Sequence, residues 1–299
     1  MSMGHSHGHG TSHGAGNANE TRVFWAMVLT ASFMVAEVIG GVLSGSLALI
    51  ADAGHMLTDT AALGLAWGAF RIARKPADTN RTYGYDRFQV IAAFINGLIL
   101  LVLVGWIIWE AIERVLAPSA ILPLPMLIVA VLGLFVNIAA FLILYKGAKD
   151  NLNMEGAMLH VVGDMLSSVA AIIAAGVIYY TGWTQIDPIL SIFVAVLILR
   201  SGWFLVKKAF HILMEGTPDT FDIEVLKKDL IESIIEVKDV HHVHVWALSS
   251  ERPLITLHAT IDDLNLAQSV LTSLKKRLEE TWKLGHSTIQ IEVGDCADH

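Results

Sequence analysis

The chain has 299 residues, of which 54% are hydrophobic and only 16% are charged. Soluble globular domains average about 25% charged residues, so this composition excludes an ordinary soluble domain and also a disordered chain. A single cysteine excludes an internal disulfide, and the formal net charge of −8 argues against a nucleic-acid partner.

The acidic excess is confined to the C-terminal part of the chain. Residues 1–212 hold 12 Asp and Glu and 12 Lys and Arg, whereas residues 213–299 hold 16 and 8. This distribution predicts three parts. A flexible His-rich segment covers residues 1–20, a membrane domain covers 21–212, and an acidic C-terminal domain covers 213–299.

Six apolar runs approach or exceed the roughly 20 residues that a bilayer-spanning helix needs. In chain order they are 23–43, 47–70, 89–109, 124–145, 157–180 and 187–206. An even number of spans places both termini on the same side of the membrane. Lysines and arginines concentrate in the loops of one face, and Arg114 alone lies in the loops of the other. The positive-inside rule therefore predicts cytoplasmic termini. The start of the chain has no signal-peptide pattern.

Beyond Pro218 the pattern changes to that of a small α+β domain. Helical periodicity and strand alternation predict a helix, two strands, a helix and a strand, at 222–236, 240–247, 253–261, 266–282 and 287–293. This αββαβ order is typical of a two-layer, ferredoxin-like sandwich. Because a domain of about 80 residues buries little apolar surface, we expect a partner subunit to cover part of it.

Two identical pairs of ionisable residues interrupt the second and fifth apolar runs: His55 with Asp59, and His160 with Asp164. A spacing of four residues places the two side chains of each pair one helical turn apart on the same face. An ionised Asp near the membrane centre costs on the order of 3 kcal/mol, which favours a functional role over interhelical packing contacts. Two imidazoles and two carboxylates suit a tetrahedral divalent ion such as zinc.

Small and polar residues beside these pairs are predicted to support them. Gly54 and Gly163 would let the two helices approach closely. Asp52 is a candidate proton carrier or entrance group. Helix packing or cavity lining is the prediction for Glu37, Asn96 and Asn137.

The sequence SLALIADAGH over residues 46–55, the doubled His-x-x-x-Asp motif, the six spans and the αββαβ tail resemble the cation diffusion facilitator family. The likeness covers residues 20–295 and is strongest to the zinc-transporting bacterial branch. It implies a homodimeric metal/proton antiporter in the inner membrane that exports zinc from the cytoplasm. The family's transport site would correspond here to His55, Asp59, His160 and Asp164.

Metal and proton exchange follows from the chemistry of such a site. A metal-binding imidazole must be neutral and a metal-binding carboxylate ionised, so protonation releases the ion. Histidine has an ordinary pKa near 6.5 and can change its charge at physiological pH.

Five histidines crowd 46 residues of the C-terminal domain. Strand alternation alone would pair His242 with His244 on one face. The family resemblance points instead to a regulatory zinc site formed by His241, His258, His286 and Glu292. We prefer the resemblance because it draws ligands from separate elements; a purely structural role for these histidines is the alternative.

Three other features have weaker metal-binding potential. The N-terminal histidines His5, His7, His9 and His13 form either a weak metal collector or a dispensable tail. The loop from Arg71 to Arg87 is basic and has no His, which favours contact with anionic lipid or with the acidic tail over a metal site. Cys296 is interpreted as a free reduced thiol, with a role as a soft ligand of the tail site as the alternative.

Two other classes of function compete with transport. One is a membrane-anchored zinc sensor or scaffold in which both metal sites are structural. The other is an intramembrane metallohydrolase, which is disfavoured because four protein ligands leave no open position for a catalytic water. The sequence contains no phosphate-binding loop motif, which argues against direct use of ATP to drive transport and favours a secondary transporter. The prediction is therefore a secondary antiporter and not an enzyme, with Zn²⁺ as transported substrate and as regulatory ligand.

Overall fold

The computed structural model describes residues 12–44, 47–116, 123–148, 151–294 and 296. Within these ranges, the side chains at 12–17, 37, 40–44, 47–55 and 58 are not described. The chain divides into two compact units between Ala209 and Phe210.

The first unit consists of long helices, and the sixth of them extends beyond its boundary. In chain order they are α1 (Ser12–Ser44), α2 (Leu47–Ala73), α3 (Arg87–Leu116), α4 (Pro123–Leu144), α5 (Leu152–Thr181) and α6 (Ile186–Leu213), with a 3₁₀ turn at Tyr145–Gly147. Each of the six predicted apolar runs falls within one of these helices, apart from the last residue of the fourth. Among the described residues, four helices are long and apolar enough to cross a membrane: α3, α4 with its following turn, α5 and α6.

The outward surface of these four helices is apolar. Only 22–33% of the residues in their most apolar stretches are buried within the unit. Large side chains such as Trp106, Phe135 and Phe193 are more than half exposed. In water such a surface would be a large apolar patch, so its natural surrounding is lipid hydrocarbon.

Helix α5 is held in place by polar contacts at its N-terminal end. Asn151 is its N-cap and accepts a hydrogen bond from the backbone N–H of Met154 at 3.1 Å. The Asn151 amide also donates to Gln89 of α3 at 2.8 Å. Two residues further on, the buried Asn153 side chain donates to the backbone carbonyl of Ala66 in α2 at 2.8 Å. These bonds fix α5 against the two helices beside it.

The second unit contains α7 (Ile223–Ser233), β1 (Val237–Ser249), β2 (Arg252–Ile261), a 3₁₀ turn at Leu264–Leu266, α8 (Ala267–Glu280) and β3 (Ser287–Glu292). The strands form one sheet in the order β1-β2-β3, with β1 antiparallel and β3 parallel to β2. The predicted order of helices and strands is the observed one. The first helix is shorter than predicted and β1 starts three residues earlier than the predicted strand.

The core of this unit lies between the two helices and one face of the sheet. Leu226 and Leu230 of α7 and Leu274 and Leu278 of α8 are fully buried, and they belong to one cluster with the inward-facing residues of the strands. At the edge of the core, Asp229 accepts hydrogen bonds from Arg277 and from the Trp282 indole. The helices are thereby fixed on one face of the sheet.

Candidate metal sites

Three ionisable side chains meet between α2 and α5. One ligand atom from each of Asp59, His160 and Asp164 lies within 4.8 Å of the other two. Asp59 and His160 are only 3% and 2% exposed. Buried ionisable groups of this kind are stable only when they are paired or bind a metal ion.

The geometry of the group follows from helical spacing. His160 and Asp164 lie one turn apart on α5, and Asp59 reaches them from α2. The imidazole Nε2 of His160 is 2.8 Å from Oδ1 of Asp59. Both atoms carry lone pairs in their deprotonated forms, so a contact this short holds a proton between them.

The fourth predicted member of this set is His55. It lies in α2 one turn before Asp59, but its side chain is outside the described part of the structure, as are those of Asp52 and Glu37. The structure therefore brings together three of the four sequence-predicted residues.

The supporting residues divide into two groups. Asn96 of α3 and Asn153 of α5 are buried, and each donates to a backbone carbonyl of α2, at Ala62 and Ala66 respectively. Gly163 faces a different helix from the one expected. A Cβ at this position would lie 3.3 Å from Cδ1 of Ile198 in α6, so this glycine permits a close approach of α5 to α6.

A second cluster lies in the C-terminal unit. His241 of β1, His258 of β2, Glu292 at the end of β3 and Cys296 each offer a ligand atom within 4.8 Å of the others. His241 and His258 are direct partners across the antiparallel pair. The carboxylate of Glu292 contacts both imidazoles, with 3.1 Å to Nε2 of His241 and 3.0 Å to Nδ1 of His258.

Two atoms in this cluster have unused binding capacity. Nε2 of His241 and Oε2 of Glu292 are buried, and neither makes a hydrogen bond within the described part of the chain, although they are close to each other. The other ring nitrogen of His241 faces Asp239 at 3.0 Å, an arrangement that orients metal-bound histidines in proteins. The donor set therefore fits a divalent metal ion.

The surroundings of Glu292 favour its ionised form. Burial alone would raise the pKa of this carboxyl, but a hydrogen bond from Gln290 at 2.7 Å, the nearby His258 and further contacts outweigh that effect and lower the pKa. An ionised carboxylate is the form that binds metal.

The neighbouring histidines take other positions. A shift in register between His241 and His244 breaks the strand alternation, and His242 adopts a left-handed backbone with φ of 47°. The ring of His242 stacks on that of His258 with centroids 4.9 Å apart, whereas His244 is exposed opposite Thr256. The pair expected from alternation, His242 with His244, is therefore not formed.

His286 lies apart from this cluster within one chain. It precedes β3, whereas Glu292 ends that strand, and it is exposed. A strand rises about 3.3 Å per residue, so the two residues are roughly 20 Å apart. The structure brings Cys296 to the cluster, a residue that the sequence favoured as a free thiol.

The basic loop between α2 and α3 contains no cluster of metal ligands among the described residues. Asp78 accepts hydrogen bonds from the backbone of Asn80 and Arg81 and from the Tyr85 hydroxyl. The Tyr85 hydroxyl, followed by these backbone donors, lowers the pKa of Asp78. The Asp78 carboxylate therefore stabilises the fold of this loop through bonds to residues of the same loop.

The sequence matches two family profiles. One is described as the cation efflux transmembrane domain and covers residues 23–214. The other is described as the cytoplasmic domain of cation efflux proteins and covers residues 218–293.

Named relatives are similar over almost the whole chain. "Zinc transporter ZitB" of Pectobacterium atrosepticum is 47% identical over 297 residues, which are 99% of this chain and 91% of the relative. The "Cadmium, cobalt and zinc/H(+)-K(+) antiporter" of Bacillus subtilis is 40% identical over 296 residues, covering 97% and 92%. A solved structure, the "Metal-bound C-terminal domain of the CzcD transporter", is 33% identical, covers 24% of this chain and 99% of that one, and has a TM-score of 0.23.

Proposed function

Because this chain belongs to the cation efflux, or cation diffusion facilitator, family of membrane transporters, we propose that it exports zinc from the cytoplasm in exchange for protons. The chain is a transporter and not an enzyme. The observation that carries the proposal is the meeting of the buried Asp59 and His160 with the half-buried Asp164 between α2 and α5. Relatives named as zinc transporters support zinc as the principal cargo.

The transport site consists of these three residues together with His55. Two carboxylates, which balance the charge of a divalent cation, and two imidazoles complete a tetrahedral set. Borderline nitrogen and oxygen ligands also accept cobalt and cadmium, and the Bacillus subtilis relative is named for those ions as well as zinc.

The contact between Asp59 and His160 supports the coupling to protons. Their 2.8 Å separation requires a proton between the two atoms, and both atoms are ligands in the proposed site. A metal ion can bind Nε2 only when this hydrogen has left the atom, in a neutral imidazole by moving to Nδ1, and protons added to the imidazoles or carboxylates release the metal. Protonation and metal binding therefore exclude each other at the same atoms, which is the requirement for exchange.

The remaining features of the proposal concern the whole transporter. Helices α1 and α2 span the membrane together with the four apolar helices, giving six spans with both termini in the cytoplasm. The protein resides in the inner membrane and works as a homodimer, since the matched cytoplasmic domain belongs to a family of dimerisation domains. Its C-terminal unit has a ferredoxin-like fold.

The C-terminal cluster is proposed as a regulatory zinc site. His241, His258 and Glu292 are the ligands that the geometry of one chain supports; His286 has the same assignment from the family resemblance but lies at the other end of β3. Cytoplasmic zinc bound here would tighten the dimer and promote transport. An Ala substitution at His258 should weaken tail binding of zinc and reduce transport; unchanged values of both would contradict this role.

The transport proposal is tested by zinc flux in proteoliposomes under an imposed pH gradient. The wild type should move zinc against protons, and Asp164→Asn should abolish this flux. Glu155→Gln is a matched control, because it neutralises a carboxylate of the same helix that pairs with Lys208 at 3.0 Å and lies about 13 Å along the axis from Asp164.

Each outcome separates the two functions in question. Coupled flux in the wild type and the control, lost in Asp164→Asn, supports the antiporter. A folded protein that binds zinc at this site but never moves it would favour a membrane-anchored sensor or scaffold with structural metal sites.

A further inference from the structure

The only cysteine of the chain lies beside the histidine and carboxylate cluster of the C-terminal unit. Its Sγ is 3.7 Å from Nδ1 of His258 and 3.6 Å from Oε1 of Glu292. Cys296 lies two residues after Gly294, whose φ of 85° turns the chain after β3.

The cluster contains two buried atoms that make no hydrogen bond to the described residues. The Glu292 side chain is 7% exposed, and its Oε2 makes no hydrogen bond to any residue that the structure describes. The Nε2 of His241, 3.1 Å from that oxygen, also makes no hydrogen bond to a described residue. Buried polar atoms without partners are costly, and two facing electron-pair donors are satisfied together by one cation.

The spacing of the donors fits a small tetrahedral ion. Ligand bonds of about 2.0–2.3 Å place neighbouring ligands of a tetrahedral zinc about 3.3–3.8 Å apart. Four contacts among His241, His258, Glu292 and Cys296 span 3.0–3.7 Å, and one ligand atom from each residue lies within 4.8 Å of the other three. Small side-chain movements would therefore bring the four donors around one ion.

We propose that Cys296 is the fourth ligand of the tail metal site, in the place that the family resemblance assigns to His286. The site is then formed by two imidazoles, one carboxylate and one thiolate from a single chain. A thiolate is softer than an imidazole, so the site favours zinc and cadmium over harder divalent ions such as manganese. This inference deepens the regulatory site proposed above and rests on that site binding metal.

The test uses the full-length protein and cobalt as the probe. Because Cys296 is the only cysteine, a sulfur-to-cobalt charge-transfer band in the near ultraviolet can arise from this residue alone. The wild type should show the band on titration with cobalt. Cys296→Ser and His258→Ala should each lose it, and His286→Ala, a matched histidine removal from the same unit, should keep it.

A second measurement follows the thiol itself. Zinc binding should slow alkylation of Cys296 by at least about tenfold in the wild type and in His286→Ala, but not in His258→Ala. The absence of both the band and the protection in a protein that binds these metals would overturn the proposal. Loss of both in His286→Ala, with retention in His258→Ala, would also overturn it.

These readouts are independent of transport. Asp164→Asn, which removes the proposed transport function, should retain the cobalt band and the protection of the thiol. A wild type that shows the band but moves no zinc would contradict the transport proposal and leave the Cys296 assignment supported.

Discussion

Asn153 links the two helices that carry the proposed transport site, and it is not one of the proposed ligands. It lies seven residues before His160 on α5, and its acceptor Ala66 lies seven residues after Asp59 on α2. Two turns of helix separate each residue from the site, on the same faces that meet at Asp59 and His160. The hydrogen bond at 2.8 Å therefore joins α2 to α5 about 10 Å along the helices from the proposed metal ligands.

We predict that Asn153→Leu weakens zinc binding at the transport site by about two- to tenfold, the equivalent of one net hydrogen bond. Zinc-flux kinetics in proteoliposomes should show a raised KM with a smaller change in the maximal rate. The control is Glu155→Gln, two residues away on α5. An unchanged KM in Asn153→Leu would remove the positioning role.

Asp229 is the carboxylate that links the two helices of the tail unit. Hydrogen bonds from Arg277 are the largest effect lowering its pKa, to about 2, and the indole of Trp282 contributes as well. The pKa of an unfolded Asp is near 3.9. The folded state therefore binds fewer protons than the unfolded state between these values, so the stabilisation is complete above about pH 4 and is lost as the pH falls towards 2.

Asp229→Asn should destabilise the tail unit at neutral pH by about 1–2 kcal/mol, since charge-assisted hydrogen bonds become neutral ones. Calorimetry should show the unfolding temperature of this unit lowered by about 5–10 °C, since in a unit of about 90 residues each kcal/mol changes the unfolding temperature by several degrees. The difference from wild type should shrink as the pH is lowered from 4 to 2. A difference that stays constant over this interval would contradict the assigned role of the charge.

At the scale of elements, a close crossing of α3 and α6 depends on a glycine. A Cβ on Gly97 would lie 2.7 Å from Cγ2 of Val206 and 3.4 Å from its backbone nitrogen. The β-branched side chain of Val206 has little rotamer freedom in a helix and cannot yield this space. The two helices would have to move apart to admit a methyl group.

Gly97→Ala should therefore destabilise the membrane unit by about 1–3 kcal/mol. Gly105, on the same helix, is the control, because a Cβ there meets no described atom within 4 Å. Gly105→Ala should be neutral or slightly stabilising through helix propensity. Both variants can be compared in detergent by heating and finding the temperature at which half of the monodisperse protein is lost. Equal temperatures for the two variants would show that α3 and α6 do not constrain each other at this position.

The tail strands illustrate what sequence patterning does and does not predict. The order of helices and strands follows from periodicity, because helices α7 and α8 and the sheet each bury one face. The side of the sheet on which each histidine lies does not follow from periodicity, because the bulge between His241 and His244 interrupts the two-residue period. The pairing of His241 with His258 joins residues of different strands, and local patterning does not fix that register.

The length of β3 explains why Cys296, and not the expected His286, lies beside the tail cluster. His286 and Glu292 stand at opposite ends of the strand, a separation that follows from strand length once the strand is assigned. The return of Cys296 depends on the turn at Gly294, whose left-handed backbone is a tertiary feature. In the sequence around Cys296, the glycine before Asp295 is the feature that indicates this turn.

At the scale of the whole molecule, composition and charge distribution predict a membrane body with an acidic tail. The family profiles confirm a cation efflux transmembrane domain followed by its cytoplasmic domain. Four of the six expected spans meet the length and apolarity criteria among described residues. In the proposed transporter α2 would both span the bilayer and carry half of the transport site, so its ionisable residues cost apolarity there.

The balance of charge at this site leads to a prediction for the complete transport cycle. In the proposed site with metal bound, the two carboxylates of Asp59 and Asp164 would neutralise a divalent cation. Without metal, the same site returns to neutrality only when it holds two protons beyond those of the neutral imidazoles, and an uncompensated charge beside the buried Asp59 and His160 is costly. We therefore predict two protons moved inward for each zinc ion moved outward.

Such an exchange carries no net charge, so the membrane potential should not affect its equilibrium. With one proton per zinc, one net charge would cross, and each 100 mV would change the driving force by about 2.3 kcal/mol, or about 50-fold in the final zinc gradient. Proteoliposomes with a fixed pH gradient and a potassium-clamped potential of zero or about 100 mV measure this directly, with Asp164→Asn to define leakage. Equal final gradients at the two potentials are expected; a shift approaching 50-fold would mean that a single proton is exchanged and that the emptied site retains a net negative charge.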